Sequence, residues 1–290
     1  MSLKKHILII GAGRVGTALF RVMAEKTPFE CYLYEPYYHR DENTAPFIGK
    51  QQWLNKLSSS VLKKTRVVFI AVPDDQIKQV VAHLSHYPLS GSFIIHTSGS
   101  YDSSVLTGLK QKNAFIGSWH PVQSFSRRFL ETDIWNKTFC SFEGDDEVWP
   151  FILEFCEMLN AYCKRVDMTQ KQAIHVAAVA TSNYLVGIYA WANEFLQQAG
   201  LDETTREHIL FPLVQNTTEN LKTSDVYEAL TGPLKRGDSE TVKRHLAYLR
   251  KLDDQSHVEL YIRLASLIVN NKTFVIQNRE ELRKILRMDK

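Results

Sequence analysis

Ten residues near the start of the chain constrain it more than any other stretch. They are the aliphatic run Ile7-Leu8-Ile9-Ile10 followed at once by Gly11-Ala12-Gly13-Arg14-Val15-Gly16, with a helical pattern continuing to Lys26. A GxGxxG spacing alone is a weak signal. Between a strand and a helix it becomes specific, because each glycine then has a separate task. Gly11 permits the tight turn, Gly13 leaves room for a pyrophosphate to approach the backbone, and Gly16 lets the helix lie close on the strand. The amides that open the helix, those of Arg14, Val15 and Gly16, then bind phosphate oxygens. A second strand ends in an acid, Glu35, 19 residues beyond Gly16. In a dinucleotide site such an acid hydrogen-bonds the adenosine ribose hydroxyls and repels a 2′-phosphate, which favours NAD over NADP. Arg40 is near enough in sequence to receive that phosphate, so NADP stays open.

Strand and helix patterns alternate through the first half. After His6–Ile10 come apolar runs at Cys31–Tyr34, Arg66–Val72, Ser92–His96, Ala114–Trp119, Lys137–Phe142 and Ala161–Val166, with helical spacing at Ile77–Leu84 and Pro150–Leu159. Arg66–Val72 is almost continuously apolar, as a strand buried on both faces must be. Such alternation predicts an α/β fold with a parallel, doubly wound sheet. Beyond Asp167 the strand patterns stop. Thr169–Ala199 reads as one helix of about 30 residues, about 45 Å long, ended by Gly200. Helical patterns follow at Thr204–Asn220, Asp225–Leu230, Ser239–Leu252 and Asp254–Phe274. The shift predicts a sheet domain over 1–167 and an all-helical domain over 168–290, since 290 residues exceed one ordinary core.

Charge and cysteine usage narrow the partners. Thirty-five Lys+Arg against 32 Asp+Glu leave a net charge of +3, which makes no case for a nucleic-acid coat or a polybasic membrane anchor. The four cysteines, at 31, 140, 156 and 163, form no CxxC pair, so we expect no zinc site and reduced thiols in a cytoplasmic protein. Met1-Ser2-Leu3-Lys4-Lys5 lacks the apolar region and cleavage site of a signal peptide. Ile174–Leu196 is long and mostly apolar, yet carries His175, Thr181, Ser182, Asn183, Asn193 and Glu194. In lipid the most polar of these would cost roughly 2–3 kcal/mol each, so a helix buried among protein helices is expected. Aromatic residues along it (Tyr184, Tyr189, Trp191, Phe195) add more apolar surface than a five-helix domain easily hides, which predicts a homodimer.

Several strings resemble one family. They are Ala71-Val72-Pro73-Asp74, His96-Thr97-Ser98-Gly99, Gly117-Ser118-Trp119-His120-Pro121-Val122-Gln123-Ser124-Phe125, His175 to Asn183, and Thr231-Gly232-Pro233-Leu234-Lys235-Arg236-Gly237-Asp238. Together they look like the bacterial Rossmann-like proteins with a C-terminal domain of unknown function 2520. That resemblance implies an NAD(P)-dependent oxidoreductase of unassigned reaction, distantly similar to pyrroline-carboxylate reductase, prephenate dehydrogenase and 6-phosphogluconate dehydrogenase. It implies a helical, dimer-forming second domain like that of 6-phosphogluconate dehydrogenase, and counts Val72 and Pro73 with the cofactor site. One departure matters. The β-hydroxyacid dehydrogenases of the wider group place a lysine four residues before the asparagine of the long helix, and here that position is Val179.

Ligands of an open α/β sheet bind at the carboxyl ends of its strands. His96 and His120 fall there, and a histidine can give or take the proton that accompanies hydride transfer. His120 is the candidate acid or base, or else a turn residue capping a carbonyl. Ser98 is a candidate contact to the nicotinamide amide, or else a turn residue. On the long helix His175 and Ser182 share a face and Asn183 flanks it. His175 is the next acid–base candidate, and the family comparison points Asn183 to the site. Lys235 or Arg236 could meet an anionic substrate, while Asp238 reads as the N-cap of the next helix. The sequence thus supports an oxidoreductase acting on a small, anionic metabolite bound between the domains. The alternative is a dinucleotide-binding sensor or regulatory dimer without turnover.

Overall fold

The computed structural model describes residues 5–35, 52–252 and 254–287. Arg40, the candidate 2′-phosphate ligand, lies outside them. The chain divides into two compact units, Met1–Val186 and Gly187–Lys290.

The first unit is built on an eight-stranded sheet. Its strands are β1 (His6–Ile10), β2 (Glu30–Tyr34), β3 (Trp53–Leu54), β4 (Thr65–Ile70), β5 (Phe93–His96), β6 (Phe115–Val122), β7 (Phe139–Gly144) and β8 (Tyr162–Arg165), in the order β3-β2-β1-β4-β5-β6-β7-β8. Every pairing is parallel except β6 with β7. The continuous apolar run of β1 follows from burial on both faces. Ile7 and Ile9 pack on one side with α1 (Arg14–Lys26) and α4 (Trp149–Met158). Leu8 and Ile10 pack on the other with α2 (Ser59–Lys64), α3 (Ile77–Leu84) and the 3-10 segment Ser103–Lys112. Each such aliphatic side chain contributes about 1.5–3 kcal/mol of burial.

That second face changes character at β5 and β6. Ile94 and Ile116 close its apolar cluster. Two residues on, where the strand period returns to the same face, stand His96 and Ser118, which are register partners, and then His120. Trp119, between Ser118 and His120, points the opposite way. It stacks on Trp135 and donates its Nε1–H to the Cys156 sulfur at 3.3 Å.

The helix after β8 begins where the sequence predicts but is not one piece. Asp167 caps α5 (Met168–Thr181) through a reciprocal pair of bonds with Gln170, 2.8 and 3.1 Å long. The helix is interrupted at Ser182 (φ −113°, ψ −66°) and resumes as α6 (Asn183–Gln198). Thr181 and Ser182 turn their hydroxyls back onto the carbonyls of Ala177 and Ala178, a local competitor to regular helix geometry. The described residues of one chain do not by themselves supply the burial expected among protein helices. Met168–Gln198 is long and apolar enough to cross a bilayer, yet none of its most apolar stretch is buried, with Val176, Tyr184 and Val186 each about two-thirds exposed.

The second unit is helical: α7 (Glu203–Thr223), α8 (Gly232–Arg236), α9 (Ser239–Leu249), α10 (Ser256–Asn270) and α11 (Arg279–Ile285) follow α6. Val242, Leu246, Ile262, Val269 and Leu282 form its core. One assignment differs from the sequence reading: residues 225–230 form a turn rather than a helix. The Gly232-Pro233 segment opens the short α8, ended by Gly237 at φ +65°, where a Cβ would stand 2.1 Å from the Gln277 carbonyl oxygen. Asp238 caps α9, accepting from the Thr241 amide at 3.0 Å.

Candidate functional site

The loop between β1 and α1 shows what each glycine is for. Gly11 has φ +107°, and a Cβ there would lie 2.5 Å from the Ala71 carbonyl oxygen and 3.0 Å from Val72. The segment after β4 is thus packed directly on the turn. A Cβ on Gly16 would lie 1.9 Å from the Gly11 carbonyl oxygen, so only glycine lets α1 approach. Gly13 is the opposite case: it is exposed and, among the described residues, nothing lies within 4 Å of where its Cβ would be. It is the N-cap of α1 and brings no side chain to cap the helix, so the first-turn amides of Arg14, Val15 and Gly16 are offered beside open space. Such a cradle fits the pyrophosphate of a dinucleotide. Pro73 is exposed and Val72 half-buried at its edge. Glu35 is buried and turned to the loop, one carboxylate oxygen accepting the Ala12 amide at 2.7 Å.

A second feature lies at the carboxyl ends of β5 and β6, under the first half of α5. His96 is fully buried, with both ring nitrogens committed to backbone. Its Nε2 is 2.9 Å from the Asp102 carbonyl, so it carries the proton, and its Nδ1 accepts the Ser98 amide at 3.2 Å. It staples the loop 97–102 and has no nitrogen left for a ligand. His120 has one. Its Nδ1 lies 3.1 Å from the Thr97 carbonyl and must donate, which leaves Nε2 as an acceptor. Burial, followed by Lys171, pushes both imidazoles down to about 4, so both are uncharged at neutral pH.

His175 of α5 meets His120 edge-to-face, the ring centroids 5.7 Å apart. Both rest on Gly99. A Cβ there would lie 2.5 Å from His175 Nδ1 and 2.8 Å from His120 Nε2, so a glycine is what lets the pair close. One turn before His175, Lys171 is 1% exposed and its ammonium donates to Ser118 Oγ. Burial pushes Lys171 down to about 8 against the opposing pull of Glu143, Asp102 and Asp74, so it remains the cation of this layer at pH 7. On β7, Glu143 is the register partner of Ser118 and Ser141 that of His120. The Ser141 hydroxyl is buried and finds no hydrogen-bond partner among the described residues.

A pocket of about 310 Å³ opens beside the histidine pair, lined by His120, Gln123, Ser124, His175, Ser182 and Asn183 together with Val179 and other apolar neighbours. The structure therefore brings together three of the four residues singled out for chemistry: His120, His175 and Asn183. The fourth, Ser98, is not brought to the pocket. Its hydroxyl accepts the Ser100 and Tyr101 amides, each at 3.1 Å, and closes the turn after β5. Lys235 donates to the Glu228 carbonyl at 3.1 Å and Arg236 is exposed, both in the second unit.

Lys171 escaped the sequence reading. A single lysine in a long apolar helix reads as an exposed residue. Two signals bear on it. The Asp167–Gln170 cap fixes the phase of α5 and puts Lys171 and His175 on one face, and Ser118 and His120 alternate on β6 beside His96.

Two family models match the chain, and they meet between β6 and β7, within the sheet. A Rossmann-like domain model matches residues 2–121, and the model of a domain of unknown function, DUF2520, matches residues 138–268, the pair that the sequence strings resemble. Among solved structures, a Bacteroides fragilis protein provisionally assigned as an NADP oxidoreductase is similar over 91% of this chain and 98% of its own, with a TM-score of 0.74 and 23% identity. A Thermotoga maritima protein is similar over 97% of this chain and 100% of its own (TM-score 0.67, 24% identity). A reductive aminase from Aspergillus terreus in complex with NADPH and ethyl levulinate is similar over 97% and 99% (TM-score 0.68, 12% identity). At these identities the likeness is one of fold. No curated protein sequence matches.

Proposed function

We propose that this chain, which joins a Rossmann-like domain to a DUF2520 domain, is an oxidoreductase that moves a hydride between a nicotinamide dinucleotide and a small, anionic metabolite. The observation that carries the reading is the glycine loop, closed by sterics at Gly11 and Gly16 and open at Gly13. A bound nicotinamide dinucleotide would supply the hydride donor or acceptor. The chain's own groups do the rest. The amides of Arg14, Val15 and Gly16 hold phosphate oxygens. His120 Nε2 accepts a hydrogen bond from a hydroxyl or amine of the substrate, and Asn183 and His175 orient it in the pocket. Lys235 and Arg236 are the cations proposed to hold its anionic group. Glu35 is the ground for proposing NAD. The Aspergillus reductive aminase of like fold holds NADPH, so titration with both dinucleotides decides.

A metabolite screen following NADH and NADPH absorbance tests the reading. Turnover of a small hydroxy, amino, keto or imino acid is the expected result. Binding of a dinucleotide without hydride exchange would make the chain a sensor, and absence of binding would remove both readings.

We also propose that a second copy covers the exposed apolar faces of Met168–Gln198 and α7, where Phe211 and Leu213 are each 63% exposed. A membrane span is disfavoured, because Lys171 and His175 tie the first half of that helix to β6. A monomer mass that does not change with concentration in sedimentation would refute the dimer.

A further inference from the structure

A buried ammonium needs a reason. Lys171 is 1% exposed and its hydrogen-bond partner is a neutral hydroxyl, not a carboxylate. Replacing a buried charge by an apolar residue of similar volume is often neutral or stabilising. A lysine kept in such a place is therefore poorly explained by stability. Its position says more. Ser118, on which it sits, is the register partner of His96 and lies on the same face as His120, two residues on. His175, one helical turn after Lys171, is the residue that touches His120. The cation thus lies at the centre of the layer, with a histidine of β5, one of β6 and one of its own helix around it.

We propose that Lys171 is a positioning residue of the candidate site, a buried cation that holds His120 in the form whose Nδ1–H is tied to Thr97 and whose Nε2 accepts from the ligand. One contact and one charge define that form. The Thr97 carbonyl can only accept, which fixes the proton on Nδ1. A second proton, on Nε2, would add a positive charge that the buried Lys171 ammonium opposes and would turn the acceptor into a donor. The charged and titratable groups around His120 are few. Lys171 and His175 face it from α5 and oppose a charge on it, and Asp74, after β4, favours one. Asp102, beyond β5, and Glu143, on β7, act on Lys171 itself. Glu143 is already engaged by the Ser103 amide and hydroxyl, and Asp74 by the Ser100 hydroxyl. Burial is the largest influence that keeps His120 uncharged, and among the charged groups that add to it Lys171 comes before His175. The inference takes from the proposed function only the location of the site. It adds a consequence for ligand class: an imidazole held as an acceptor selects a group that brings its own proton, a hydroxyl or an amine.

The test is imidazole titration by NMR of the full chain, with Lys171→Met and with Lys171→Gln, which keeps a donor for Ser118 but no charge. The His120 midpoint, about 4 in the parent, should rise in both variants while staying below the ordinary imidazole value, because burial remains. A role in packing alone would change thermal stability and leave that midpoint where it was, and this result would overturn the proposal. Should neither variant fold, the parent suffices. Deprotonation of Lys171, with its midpoint near about 8, should move the His120 signals over the same pH range, and His120 signals indifferent to it would equally overturn the proposal. Dinucleotide titration of the parent reports separately on the proposed function. A parent that binds no dinucleotide, yet shows the coupled titration, loses the oxidoreductase reading and keeps this one.

Discussion

The glycine loop and the polar layer beneath α5 are built in opposite ways. The loop is local: Gly11, Gly13 and Gly16 fall within six residues, and their contribution is the absence of side chains. The layer is assembled from β5, β6, β7 and α5, with residues from His96 to His175, and its contribution is the side chains themselves. A site made of missing atoms is intolerant where the added carbon meets backbone, at Gly11 and Gly16, and open only at Gly13. A site made of polar side chains can be retuned group by group. Substitutions should therefore act sharply in the first region and gradually in the second.

The largest effect is expected at Gly16. Valine there would force carbon into the Gly11 carbonyl, 1.9 Å from the ideal Cβ. Neither partner can retreat without moving β1 or α1, so denaturant unfolding should show a loss of more than about 3 kcal/mol. A milder loss would mean that α1 can pivot off the loop, and the contrast between the regions would weaken.

The next effect belongs to the layer. His96 and His120 are held near about 4 in the folded chain, against an ordinary 6.5. Between those values the unfolded chain binds protons that the native chain does not, so stability is fully present above about 6.5 and falls as the pH drops towards 4. Each histidine contributes up to about 3 kcal/mol of that fall, as an upper bound. Unfolding midpoints measured from pH 7 to 4 check this, and His120→Asn should flatten part of the slope. In turnover, once a substrate is found, the same variant should lose about 10²-fold or more while keeping dinucleotide affinity. Parental turnover would make His120 a turn residue only.

How much of this is legible in the sequence follows from the same contrast. The strand–glycine–helix reading needs only neighbours in the chain, and β1 and α3 run over the residues their patterns predict. His120 and His175 are visible as candidates because strand ends and helix phase are local. Their contact depends on Gly99 and on the way α5 lies on β6, which no local spacing encodes. Lys171 is hidden for the same reason, and Ser98 misleads because a serine after a strand serves a turn as readily as a ligand. The break at Ser182 depends on hydroxyls folding back on the helix, a competition that apolar periodicity does not register.

The smallest effect is expected at Asn183, exposed at the rim of the pocket. Asn183→Ala should raise KM several-fold, consistent with one lost hydrogen bond of about 1 kcal/mol, and leave dinucleotide binding and stability unchanged. A matching fall in dinucleotide affinity would mean that the two regions form one binding surface.

The central claim is that the open space over Gly13 receives the phosphates of a nicotinamide dinucleotide. Calorimetric titration of NADH and NADPH into the parent and into Gly13→Val tests it most directly, since Gly13 has φ −70° and, among the described residues, no neighbour within 4 Å of its Cβ position, so the substitution should leave the fold intact. The account requires saturable binding in the parent and none in the variant at an unchanged thermal midpoint. Equal affinity in the two proteins, or no binding in the parent, would contradict it.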